Sequence, residues 1–223
     1  MGWKSFSMTA MNKKLLTNTI IWGIITGAIY EAFYRRLDRP ILYWIQQHAS
    51  HGLQKCSSTL SNTFSTSHWG ELGILCLILF VGFGLFLKHR QDLYPRLSKF
   101  RLKLGFLGFS IIVAAIVGTI IKYGLARYRP EMLLEKNLYG FHLFSTKHEL
   151  NSTPSGHTTL SFAGLLALKT IFKRIWISWI LITLAILIGL SRIIISDHYA
   201  SDVILGIYVG TICTYWVKSI REW

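Results

Sequence analysis

Charge is scarce in this chain, and acid is scarcest. Only 15% of the 223 residues are charged, and ten Asp and Glu stand against 24 Lys and Arg. With 52% apolar or aromatic residues, that composition is not that of a soluble domain of this size. Cysteine is sparse as well. Cys56, Cys76 and Cys213 are scattered, odd in number and without a CxxC pair, which argues against a disulfide framework. No internal repeat, low-complexity segment or linker is present, so residues 1–223 read as a single membrane-embedded domain. Phe6 stands where myristoylation wants Ser or Thr. The first apolar run ends in Glu31-Ala-Phe-Tyr-Arg35-Arg36 without a small-residue cleavage site, and reads as a retained helix rather than a cleaved signal.

What the chain has instead is long apolar runs. Six spans are expected, at about residues 15–34, 71–88, 104–122, 157–172, 174–192 and 199–217. The fold class is therefore all-α, a polytopic six-transmembrane-helix bundle. The fourth and sixth spans open on His157 and on His198 and Asp202, polar groups that must face other helices or water. After the first span, Asp38-Arg39-Pro40 leads into Ile41 through His48, too short to cross a bilayer. It reads as an interfacial helix with Tyr43 and Trp44 at headgroup level, or equally as an ordinary packing helix in the connection. The ~35 residues between the third and fourth spans form a connection long enough to be functional.

The net charge of +14 is placed between apolar runs, which points to topology and anionic lipid rather than to nucleic acid. Fourteen of the 24 cations fall on the side of the two termini: Lys4, Lys13, Lys14, Lys88, Arg90, Arg96, Lys99, Arg101, Lys103, Lys169, Lys173, Arg174, Lys218 and Arg221. Asp92 and Glu222 are the acids there, and the 88–103 loop holds the largest basic block. The positive-inside rule puts that side in the cytoplasm.

Three short stretches carry chemistry, at 122–130, 154–157 and 191–202. His198 and Asp202, four apart at a helix start, share a face, and the carboxylate can fix the imidazole tautomer so that the other nitrogen attacks. Taken alone, that pair reads more readily as a polar histidine capping a helix near the interface; the flanking Ser191-Arg192 and the other two stretches reverse that reading. Pro154-Ser155-Gly156-His157 opens the fourth span. Gly156 lets backbone approach an anion at a helix N-terminus, Ser155 offers a hydroxyl, and His157 can deliver a proton to a leaving oxygen. Alone it is a plain turn. Lys122, Arg129 and Arg192, set against apolar segments, are costly unless an anion compensates them, and phosphate fits both guanidinium and ammonium. Snorkelling at the headgroup boundary is the expectation for Arg127. A metal on His157, His198 and Asp202 is disfavoured by the three cations around it, so no metal and no cofactor are expected.

In order and spacing these stretches (KxxxxxxRP, PSGH and SRxxxxxHxxxD) resemble the three signature motifs of the type 2 phosphatidic acid phosphatase (PAP2) superfamily, and its bacterial integral-membrane lipid phosphatase branch in particular. The resemblance spans about residues 35–217. It implies metal-independent dephosphorylation through a phosphohistidine, with His198 as nucleophile, Asp202 as its orienting partner and His157 as acid for the leaving group. Lys122, Arg129, Ser155, Gly156 and Arg192 would be phosphate ligands. The implied substrate is a membrane lipid phosphate: undecaprenyl diphosphate, phosphatidylglycerophosphate, phosphatidate or lipid A. A lipid-to-lipid phosphotransferase and a non-catalytic anion transporter are the alternatives. The implied setting is a bacterial inner membrane, and there the charge bias, not the resemblance, puts both termini in the cytoplasm and all three motifs toward the periplasm or exterior.

Overall fold

The computed structural model describes residues 8–88 and 94–220, with side chains from Lys13 onward. The described residues are helical apart from loops and one isolated bridge between Arg127 and Phe141. α1 (Met8–Ala32) runs through a π-turn at Phe33–Leu37 into α2 (Asp38–His48). α3 (His51–Thr63) and α4 (Thr66–Phe86) follow, then α5 (Pro95–Leu125), the short α6 (Pro130–Lys136), α7 (Gly156–Phe172), α8 (Ile175–Ile194) and α9 (Ala200–Ile220).

The helix boundaries have local causes. Ser50 and Ser65 cap α3 and α4, their hydroxyls accepting from the Leu53 and His68 amides at 3.3 Å. Proline occupies the first turn of α5 and of α6. Ala126, Asn137 and Lys173 end α5, α6 and α7 in the left-handed conformation.

Five helical stretches are long and apolar enough to cross a membrane: Lys13–His48, His51–Phe86, Pro95–Leu125, Ile175–Ile194 and Ala200–Ile220. Their outward faces carry large apolar side chains such as Leu85, Trp179 and Ile120, suited to lipid rather than water. α7 is 17 residues long and lies at the centre, packed on α5, α8 and α9, with nine of its residues buried. Its contact with α9 is close because glycine faces it. A Cβ on Gly210 would stand 2.3 Å from the Thr159 carbonyl, and one on Gly206 would stand 3.0 Å from that of Ser155. Gly206 and Gly210, four apart, are the small-residue spacing that lets membrane helices approach.

Two expectations need correction. The basic 88–103 segment is not all loop, because α5 begins at Pro95. Arg96, Lys99, Arg101 and Lys103 therefore stand on helix. Arg101 lies along α4, its Nε donating to the Phe80 carbonyl at 3.1 Å and its guanidinium 4.6 Å over the Phe80 ring. Long cationic stems cover apolar surface and let the helix extend past the apolar run. Arg90, Asp92, Lys4, Arg221 and Glu222, used in the charge count, and Phe6 lie outside the described residues. The connection after the third span is likewise not featureless: it holds α6 and a 3₁₀ turn at His148–Leu150.

Candidate active site

α5 ends, α7 and α9 begin and α8 ends at one end of the bundle, and there the three motifs converge. They surround a cavity of about 550 Å³. Its polar wall includes Lys122, Arg129, Gly156, His157, Arg192 and His198. Ala114, Ala115, Gly118 and Leu160 give it an apolar side. Ser155 and Asp202 lie behind that wall with no exposed surface.

Lys122 and Arg129 are held by neutral backbone carbonyls, Arg192 by a hydroxyl and a carboxylate. The Lys122 ammonium donates to the Asn151 carbonyl at 2.8 Å and the Arg129 Nε to the His148 carbonyl at 3.0 Å. Arg192, buried at the end of α8, donates to the Ser61 hydroxyl of α3 and pairs with Asp197, and its Nε has no partner among the described residues. The Ser155 backbone amide donates to the Asp202 carbonyl at 3.0 Å, tying the start of α7 to α9. The Ser155 hydroxyl accepts from Thr158 at 3.0 Å, which leaves its own proton to donate.

His198 is 3% exposed, and this burial drives its imidazole down to about 3 from the ordinary 6.5. Asp202 opposes the shift, while Lys122 and Arg129 push the same way. The ring is therefore neutral at physiological pH, the state in which a nitrogen lone pair is free. Its Nδ1 has no hydrogen-bond partner and stands 3.8 Å from Asp202 Oδ2, too long for a hydrogen bond. This departs from the tautomer-fixing contact expected of the pair. Asp202 is already saturated: Oδ2 accepts from Ser152 Oγ at 2.6 Å and the Tyr199 amide at 2.9 Å, Oδ1 from Arg127 Nη1 at 2.6 Å and from Thr153.

Arg127 is the largest correction. Instead of snorkelling, it is fully buried. Its Nη1 reaches Asp202 and the Ser201 hydroxyl (2.7 Å), while its Nη2 reaches Asp38 at 2.7 Å and the Tyr139 hydroxyl at 3.0 Å. Five rings, Tyr30, Tyr34, Tyr139, Phe141 and Tyr199, stand 4.2 to 5.8 Å from the guanidinium carbon. Burial pushes the Tyr139 and Tyr199 phenols up, so both stay neutral. Asp38 in turn accepts from the backbone amide of Ser201 at 3.0 Å and from its hydroxyl. It thus places a carboxylate at the positive end of α9 as well as on the arginine. The guanidinium stays out of the headgroup region because two carboxylates and a ring of aromatic faces replace its water.

Sequence reasoning missed Asp38, Ser61 and Asp197. Asp38 carried a faint signal, an acid beside Pro40 in a chain with few acids. Ser61 and Asp197 had none, since only the docking of α3 on α8 shows what Arg192 touches. Among the described residues no group of His, Cys, Asp or Glu is arranged to hold a metal.

The PAP2 superfamily model matches residues 103–223, more than half of the chain and the part that carries all three motifs. This chain belongs to the PAP2 superfamily. Among curated relatives, the lipid A 1-phosphatase of Rhizobium johnstonii is 30% identical over 105 residues, 47% of this chain and 42% of that protein. The chain thus spans less than half the length of that relative. Two solved structures share the fold. The crystal structure of Aquifex aeolicus LpxE aligns with a TM-score of 0.57 at 23% identity, over 82% of this chain and 95% of that one. The transmembrane PAP2-type phosphatidylglycerolphosphate phosphatase of Bacillus subtilis aligns with a TM-score of 0.55 at 17% identity, over 92% and 96%. With its apolar helices, the PAP2 chain is a multi-pass membrane protein.

Proposed function

We propose that this chain is an integral-membrane lipid phosphatase that hydrolyses a phosphate monoester or pyrophosphate of a membrane lipid through a phosphohistidine. One observation carries the reading: Lys122, Arg129 and Arg192 converge with His157 and a neutral, buried His198 on a single cavity that has an apolar side. The cations bind the phosphoryl oxygens, joined by the Gly156 backbone and the Ser155 hydroxyl at the head of α7. His198 attacks phosphorus in line, and His157, protonated when the substrate brings its negative charge, gives a proton to the leaving oxygen. The histidine–phosphorus bond forms as the bond to the lipid oxygen or diphosphate bridge breaks. Water then attacks phosphorus and releases inorganic phosphate and free His198. As charge spreads over the equatorial oxygens, the three cations stabilise it. Asp202 faces the imidazolium that forms. The apolar wall takes the first carbons of the lipid.

The reaction is tested in detergent with undecaprenyl diphosphate, phosphatidylglycerophosphate, phosphatidate and lipid A offered in parallel, in EDTA. Expected are phosphate release from at least one, a radiolabel on the protein that is labile in acid and stable in alkali, and inhibition by orthovanadate. Activity lost in EDTA and restored by a divalent ion overturns the metal-independent mechanism.

The whole of 1–223 is taken as one phosphatase domain in a bacterial inner membrane. α7 counts as the sixth span and α2 lies in the interface, with Tyr43 and Trp44 outward. Lys169, Lys173 and Lys218 line one surface recess at the end of the bundle away from the cavity. This supports a cytoplasmic basic side, with the site facing the periplasm or exterior. The substrate is then a lipid phosphate of the outer leaflet. Green fluorescent protein fused after Trp223 should fluoresce, and alkaline phosphatase fused there should stay inactive. The reverse pattern puts the site in the cytoplasm and removes the outer-leaflet substrate.

A further inference from the structure

Two buried charges remain that the phosphoryl transfer does not use: Arg127 and Asp38. Neither is a signature position, yet both have no exposed side-chain surface, and they meet Asp202 in one chain of contacts. The arithmetic of that chain is informative. A single guanidinium facing Asp202 would neutralise it, and a neutral pair offers little to a cation formed 3.8 Å away. With Asp38 on the other prong, two carboxylates share one guanidinium, and the cluster keeps one negative charge.

We infer that Asp38 and Arg127 are positioning residues for the nucleophile: Arg127 holds Asp202 in place, and Asp38 offsets the charge of Arg127 so that Asp202 can stabilise the His198 imidazolium. The inference rests on the proposed phosphohistidine mechanism. Three further observations support it. Both oxygens of Asp202 are fixed by neighbours, so its distance from His198 is set by this cluster and not by the histidine. The His198 Nδ1 is buried without a partner in the resting state, so a contact with Asp202 is available to form when the ring becomes cationic. Asp38 opens α2 and also holds the Ser201 amide, which binds the segment after the first span to the first turn of α9, one helical turn from His198. Seating of α2 and the charge at the nucleophile are therefore linked through one carboxylate.

The test uses the full-length protein in detergent with a lipid phosphate that the wild type hydrolyses. Asp38→Asn keeps the shape and a hydrogen-bonding group but removes the charge. It should lower kcat and the rate of phosphohistidine labelling by about ten- to a hundredfold, the range a neighbouring buried charge exerts on an ionisable group. KM and orthovanadate inhibition should change less than about twofold, because the phosphate ligands are untouched. The double variant Asp38→Asn/Arg127→Met returns the cluster to one net negative charge, now on Asp202 alone. It should recover kcat several-fold over Asp38→Asn. A merely structural bridge predicts the opposite, since losing both ends of it leaves the double variant no better than the single. The inference is overturned if Asp38→Asn leaves kcat unchanged, if it raises KM in step with the loss, or if a folded double variant is no faster than the single. Should the double variant fail to fold, the split between kcat and KM in Asp38→Asn decides alone. A wild type that hydrolyses no lipid phosphate and takes no label sinks the proposed function instead, a result distinct from any of these.

Discussion

His198→Ala should abolish turnover and phosphoprotein labelling, with a loss of about 10⁴-fold or more, while the protein stays folded. His198 is the cavity group proposed to form the covalent bond to phosphorus, with His157 assigned to the leaving group and Asp197 engaged by Arg192. Folding is spared for a physical reason. The buried imidazole is neutral, its Nδ1 has no partner, and replacing it leaves no charge and no orphaned acceptor. The measurement is phosphate release alongside thermal unfolding in detergent. A variant with near-normal activity would rule His198 out as nucleophile. Asp202→Asn keeps His198 and should cost a smaller factor in rate, and by leaving Arg127 with Asp38 as its one carboxylate it should also lower stability.

The largest effect on stability is expected at Arg127. Arg127→Met leaves Asp38 and Asp202 buried without a cation, Asp202 keeping the Ser152 and Thr153 hydroxyls and the Tyr199 amide, and Asp38 the Ser201 amide and hydroxyl and the Tyr139 hydroxyl. Breaking one side of a buried ion pair costs about 3–5 kcal/mol, and here two carboxylates are stranded at once. The loss is a large share of the margin of a typical domain. The variant should therefore accumulate poorly and, if recovered, melt well below wild type. Arg127→Lys keeps the charge but cannot bridge both carboxylates, and should fall between the two. An unchanged melting temperature for Arg127→Met would show that the cluster carries no stability.

The outcome at particular residues shows what was legible and what was not. Lys122, Arg129, His157, Arg192 and His198 were readable because each is a costly group set against an apolar run, and all five line one cavity. The cost of burying charge is a local property, visible wherever a lone cation or histidine interrupts hydrophobic sequence. Helix positions were readable from the apolar runs, and α7, α8 and α9 begin and end within about two or three residues of expectation. α5 was not, because its first turns are basic and amphipathic, and a hydropathy pattern stops where the charges begin.

Arg127 and Asp38 mark the other limit. In the sequence Arg127 is one basic residue among several beside a membrane span, where snorkelling is the ordinary behaviour. Only the fold brings a carboxylate from 89 residues upstream and another from 75 residues downstream onto its two prongs. The same holds for Ser61 on Arg192, a contact made by two helices 131 residues apart. The sequence by itself determined that this is a membrane bundle and which costly polar residues stand in its three motifs, because hydropathy and motif spacing are written along the chain. Tertiary structure decided which charges are neutralised by protein and which remain for a ligand, because that pairing depends on distances between segments that no local pattern encodes.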